Sequence, residues 1–316
     1  MKKSEKLPQV TIGLLTYNYP DWGKREFFLK ALNSLIEQDY ENKEILIVDD
    51  CSKDKIYEDC LSYSKKYDFI QVFQNEKNVG VIENLKKLLT LVKGDLFLWA
   101  CPDDAYDPTF ISKCVGHFMT DPNVALVSTA IKTFYESGEI HIHRYHDFSR
   151  GLPFRKIVRN VFQGRDSHGK LVHFPPVIHS SIIRKKYLSE TFFEKMFYFA
   201  EQLWFLNMLI YGKIAYIDEI LYFRYCSDLL HDEKDPQLAV HFRFGINQFK
   251  YLTDYIKFFL LKKDLALNKK IKHLLLSLLT LRYYLLTKTW DIFKCKFKCK
   301  LVQLIRKFGF MRYSSN

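Results

Sequence analysis

Residues 95–108 read DLFLWACPDDAYDP: an apolar run from Leu96 to Ala100 stops at Cys101-Pro102 and delivers Asp103 and Asp104 just before Asp107-Pro108. Five apolar residues in a row, closed by a proline, read as a strand buried on both faces that gives way to a loop. Two carboxylates at such a strand end offer hard oxygen donors suited to Mg²⁺ or Mn²⁺. A cation held there could in turn hold a diphosphate. A second acidic end stands upstream, where Glu44-Ile45-Leu46-Ile47-Val48 runs into Asp49-Asp50-Cys51-Ser52. Open α/β sheets bind ligands beyond the carboxyl ends of their strands, so two acidic ends in one sheet could flank one ligand. Asp and Ser before a helix are also ordinary capping residues, which gives Asp49 and Asp50 a purely structural alternative.

Outward from these ends, the first hundred residues alternate short β-rich runs with amphipathic helical patterns, the signature of βαβ units and a largely parallel sheet. Val10–Leu15, Glu44–Val48, Ile70–Gln74 and Leu96–Ala100 read as strands; Phe27–Gln38, Lys55–Tyr67 and Val79–Val92 read as helices with lysine-rich outer faces. A helix over Thr109–Met119 and a strand over Val124–Thr129 continue the theme. From about Tyr135 to Pro176 the pattern becomes irregular, polar and basic, as in a functional loop. It holds the run HIHRYH, which lacks a Cys or an acid at ligand spacing and reads as a solvated or acceptor-facing loop. Beyond His231 the chain reads as helical, and its longest apolar run, Leu274 to Leu281, is too short for the roughly 20 residues that span a bilayer.

The 316 residues are 48% apolar, enough for a substantial core. The net charge of +12 is uneven: from Lys250 onward 16 Lys and Arg stand against three acids, whereas 32 bases and 33 acids precede it. Basic helices carrying aromatics are attracted to anionic lipid, so residues 250–316 are a candidate contact with an anionic membrane surface. No nucleic-acid module is recognisable, and nucleic acid is not an expected partner. Seven cysteines, odd in number and without paired zinc spacings, fit reduced thiols. The charged MKKSEKLPQ start followed by the strand-like VTIGLLTY does not read as a signal peptide. The expected location is cytoplasmic, peripheral at the inner face of the membrane.

Thr16-Tyr17-Asn18, the run SLIEQDYENKEILIVDDCSKD, Asn78–Asn84 (NVGVIEN) and the strand leading to Asp103-Asp104 follow one another as in family 2 glycosyltransferases, which this chain resembles over about residues 8 to 228. The resemblance implies an α/β GT-A fold, Rossmann-like, with a mostly parallel central sheet flanked by helices and, here, a basic helical C-terminal extension. It divides the chain into a transferase domain over 1–230, with a nucleotide-binding part at about 8–107 and an acceptor part at about 108–230, and a helical region over 231–316. It implies Thr16, Tyr17, Asn18 and one of Asp49/Asp50 near the base and ribose of a nucleotide, with Asn78, Gly80 and Asn84 lining the pocket. A carboxylate can accept from uracil N3–H, a donor cytosine lacks, so UDP is favoured over CDP. Gly80 is expected to permit close backbone approach.

The family's metal motif is Asp-x-Asp; here Cys101 replaces its first acid and Asp103 and Asp104 remain as ligands for Mn²⁺ or Mg²⁺. Glu201 aligns with the base that deprotonates an acceptor hydroxyl, and Asp103 with the donor diphosphate. Arg224, His231 and His179 are expected on the phosphate or acceptor side. The implied partners are a nucleotide-sugar donor and a glycan or lipid-linked acceptor of cell-surface polysaccharide synthesis. Glu83, Gln202 and Cys226 depart from the family's commonest residues. Two rival readings remain: a sugar nucleotidyltransferase, against which the lack of a glycine-rich phosphate loop counts, and a degenerate transferase domain kept as a binding module.

Overall fold

A computed structural model describes residues 7–19, 24–144, 178–190, 208, 210–226 and 266–286. The chain divides into two compact units, Met1–Pro236 and Gln237–Asn316. The first is built on a nine-stranded sheet, with strands β1 (Val10–Thr16), β2 (Lys43–Asp49), β3 (Ile70–Gln74), β4 (Leu96–Ala100), β5 (Ala105–Tyr106), β6 (Val124–Tyr135), β7 (Ile140–His143), β8 (Ser181–Arg184) and β9 (Lys213–Cys226). Helices α1 (Lys24–Ile36), α2 (Ile56–Lys66), α3 (Val81–Leu91) and α4 (Phe110–Thr120) alternate with the early strands.

The strand order is β3-β2-β1-β4-β8-β6-β9-β5, with β7 beside β6. The first four strands are mutually parallel, and their order reverses between β1 and β4, the switch point at which such sheets carry their ligands. All residues of β1 and β4 are buried, which explains why their sequences read as continuous apolar runs without alternation. At Gly13 an added Cβ would fall 2.5 Å from Leu88 of α3, so glycine lets that helix seat on β1.

β8 enters antiparallel between β4 and β6. β9 runs parallel to β6, and its far end pairs with β5, setting Tyr106 against Tyr222 and Ala105 against Phe223. That pairing brings the end of β9 to the loop after β4.

Two expectations change. β6 continues to Tyr135 and turns through Gly138, at φ 85°, into β7. The start of the supposed irregular loop is therefore a hairpin, with His143 buried against Thr133 and with Ile140 and Ile142 outward. Nor do Asp49 and Asp50 cap α2: that helix follows Lys55 without a side-chain cap, and it is Asp54 whose carboxylate accepts the Ile56 N–H at 3.1 Å.

In the second unit the described element is α5 (Leu267–Leu286). Leu267, Ile271, Leu274, Leu275 and Leu278 are exposed along it. Among the described residues no helix is long and apolar enough to cross a membrane.

Candidate active site

Parallel register places the two acidic ends at one edge of the sheet. Thr16, the last residue of β1, sits opposite Asp49, and Leu14 sits opposite Ala100, so the β4 loop leaves beside the end of β1. With β1 between them, β2 and β4 lie about 10 Å apart, two strand spacings.

At the β2 end the carboxylates are locked. Asp49 is fully buried and accepts from Thr16 Oγ1 at 3.0 Å, Ser52 N at 3.0 Å, Gln74 Nε2 at 3.0 Å and the Ser52 hydroxyl. Asp50 accepts from Asn75 Nδ2 at 2.8 Å, Val79 N at 2.9 Å and Gly80 N at 2.8 Å. A carboxylate has about four lone-pair positions. Asp49 has filled all of them, and Asp50 keeps one.

The residues around this pair divide into braces and rim. Asn84 is buried, donates to the Val48 carbonyl at 2.9 Å and accepts from Asn75 at 2.9 Å, tying α3 to the end of β2. Thr16 lies beneath Asp49. Gly80 begins α3 at φ 83° with nothing within 4 Å of an added Cβ. The positive φ that aims its N–H at Asp50 is one glycine adopts without strain, and the space beside its Cα is open. Tyr17 is 50% exposed, Asn18 adopts φ 55° and accepts from Lys53 N, and Asn78 accepts from Gly80 N at 3.0 Å.

The β4 end is held differently. Asp104 is buried and accepts from the Tyr222 hydroxyl and, at 2.9 Å, from Tyr225 N. Burial, and then the charge of Asp104, push the Asp103 carboxyl well above the usual range, against the opposing pull of Arg224 and His179. Burial likewise raises Asp104, opposed by Arg224 and the Tyr222 and Tyr225 hydrogen bonds. Two close acids in a poorly solvated place are underneutralised, a condition that a divalent cation relieves.

His179, expected on the acceptor side, is buried beside this loop. Its Nδ1 lies 2.8 Å from the Trp99 carbonyl, its own carbonyl accepts from Tyr106 Oη at 2.9 Å, and its ring meets Trp99 edge-on. Because a carbonyl only accepts, the proton sits on Nδ1. Tyr222, Tyr225, Gln74 and Asn75 are the residues the sequence reading missed. Each acts through partners distant in sequence, and no local pattern marks it. Glu201 and His231 lie outside the described residues.

The sulfur of Cys101 and carboxylate oxygens of Asp103 and Asp104 lie within 4.8 Å of one another, a possible cation cluster among the described residues. This spacing fits a shared divalent ion, and the donors are of the right chemistry. A cavity of about 880 Å³, bounded by Lys86, Asp95, Arg184 and Leu188, opens instead where β4 begins and β8 ends. Its lining includes neither acid pair.

Comparison with known proteins agrees with this geometry. Residues 11–192 match Glycosyl transferase family 2. An uncharacterized glycosyltransferase of Haemophilus influenzae is 26% identical over 132 residues, 42% of this chain and 39% of that protein. A processive diacylglycerol beta-glycosyltransferase of Mycoplasma genitalium is 24% identical over 229 residues, 66% of this chain and 62% of that one. The chain thus spans less than two thirds of either relative. The crystal structure of S. aureus TarS 1-349 in complex with UDP superposes with a TM-score of 0.60 at 16% identity, over 91% of this chain and 75% of that one. The architecture is the GT-A fold, and the chain belongs to glycosyl transferase family 2.

Proposed function

We propose that this chain is an inverting glycosyltransferase that moves a sugar from a UDP-sugar to a glycan or lipid-linked acceptor in surface glycan synthesis. The observation that carries the reading is the pair of acidic strand ends on either side of β1, one closed by hydrogen bonds and one underneutralised. Asp50, with one acceptor position left, reads uracil N3–H, while Asp49 holds the loop that positions it. Tyr17, Asn18 and Asn78 rim the base and ribose. Thr16, Gly80 and Asn84 fix the backbone beneath them. A solved relative with UDP bound supports that donor class.

Asp103 faces the donor diphosphate, and a divalent cation held with Asp104 would neutralise charge on the leaving group. Arg224 adds positive potential at the same end, where His179 also stands. Glu201 takes the acceptor proton, and His231 stands on the phosphate or acceptor side. The exposed apolar residues of α5 alternate with Lys269, Lys270 and Lys272. They support peripheral attachment at the cytoplasmic face of an anionic membrane, where lipid-linked acceptors reside.

Calorimetric titration of the full chain with UDP, GDP and CDP, with a divalent cation and then with EDTA, tests the reading. Cation-dependent binding of UDP at least tenfold tighter than CDP is expected. Equal affinity for all three would remove Asp50 from base reading, and no binding of any of them would overturn the transferase assignment.

A further inference from the structure

Among the described residues, the candidate cation cluster contains a cysteine. Cys60 and Cys114 are buried, and burial pushes both thiols far up, as expected of inert packing residues. Cys101 is half-buried, and its sulfur shares a 4.8 Å sphere with the Asp103 and Asp104 oxygens. Asp104 already has a hydrogen bond on each oxygen, from Tyr222 and from Tyr225 N, which hold it in place. Asp103 and Cys101 complete the same cluster, their donor atoms within 4.8 Å of one another and of Asp104. Pro102 between them fixes its own φ and restricts Cys101, so the two side chains meet in a narrow range of geometries.

We propose that Cys101 is a thiolate ligand of the site's divalent cation, which makes the site select Zn²⁺ or Co²⁺ over Mg²⁺. This rests on the reading that the β4 end faces a nucleotide diphosphate. Carboxylate and water suit Mg²⁺ and Mn²⁺, whereas a thiolate contributes little to a hard ion and binds strongly to softer ones. One sulfur in place of one oxygen therefore changes which ion wins without abolishing the site. On coordination the Sγ–H bond breaks heterolytically: the electron pair stays on sulfur as the bond to the metal, and the proton passes to solvent. No redox step is involved.

The test is titration of the full chain with Co²⁺, with and without UDP, read by sulfur-to-cobalt charge-transfer absorption and in parallel by calorimetry. The wild type is expected to show the band. Cys101→Ser should lose it together with on the order of tenfold or more in Co²⁺ affinity, and Cys101→Asp should shift the preference toward Mg²⁺. At calorimetric saturation, a wild-type spectrum matching that of Cys101→Ser overturns the proposal, as does Mg²⁺ competing equally well against wild type and Cys101→Asp. The nucleotide arm reports separately. UDP binding without the band removes the thiolate alone, and the band without UDP binding removes the nucleotide reading alone.

Discussion

The two acidic strand ends have nearly the same sequence, an apolar run followed by paired aspartates, and opposite physical states. After β2, Asp49 and Asp50 receive seven hydrogen bonds between them, from neighbours contributed by β1, the Ser52 turn, β3 and the approach to α3. After β4, Asp104 has two donors from β9, and Asp103 sits in a desolvated place beside a like charge. The first pair is held by hydrogen bonds from the fold itself and serves as architecture with one open acceptor. In the second pair burial disfavours the charged form of both acids.

The comparison breaks most clearly on exchanging each acid for a neutral group. Asp103→Asn is expected to lower sugar transfer by about 10²–10³-fold, the usual consequence of losing one electrostatic contact to a developing charge. The same change should leave thermal stability in EDTA unchanged or raised, because it removes a repulsion. Asp50→Ala should do the reverse to the fold. It strands the Val79 and Gly80 N–H groups and Asn75, and is expected to cost about 3 kcal/mol in denaturant unfolding. If Asp103→Asn were the more destabilising of the two, the division into architecture and site would fail.

What the sequence disclosed, and what it withheld, follows the same line. β1, β2 and β4 were legible because burial on both faces leaves continuous apolar runs, and the acids after them because a carboxylate pair stands out at the end of such a run; which pair served as architecture was not. The partners that distinguish the two pairs were not legible. Asn75 and Gly80 lie 25 and 30 residues beyond Asp50, and Tyr222 lies 118 beyond Asp104. Only the sheet order, with β9 folded back onto β5, brings the latter together. Gly80 was legible as part of the pocket segment, but neither its positive φ nor its hydrogen bond to Asp50 was. β7 was missed because its Ile-His alternation is inverted: the isoleucines face out and His143 faces in, so polarity gave the wrong face.

A smaller change sharpens the contrast within the β4 end. Tyr222→Phe removes a hydroxyl donor to buried Asp104 while keeping the ring, which packs on Tyr106 with centroids 5.1 Å apart. The expected loss is about 1.5 kcal/mol of stability. Because one more neutralising contact to Asp104 is gone, dependence of the melting temperature on added divalent cation should increase. A melting temperature that responds to cation as the wild type does would place Asp104 outside the cation's influence.

The smallest effect, and the one most specific to the sign of each environment, is in pH. Asp59, on α2, has its carboxyl lowered, first by the hydrogen bond from Arg25. A depressed folded pKa contributes stability that is present above the unfolded value near 3.9 and is lost as pH falls through the folded value. Asp103 is shifted the other way by burial and Asp104. Between the unfolded value and its raised folded value the native state binds the extra proton, so stability falls as pH rises across that window. In EDTA, melting curves from about pH 3 to 8 should therefore lose part of their acid-side slope in Asp59→Asn and part of their fall above about pH 4 in Asp103→Asn. The first change is slight, since Asp59 pairs with a largely exposed arginine whose bridge solvent screens. Saturating divalent cation should flatten the fall in wild type but leave Asp103→Asn unaltered; parallel curves for wild type and Asp103→Asn under both conditions would show that the β4 acids carry no stored charge.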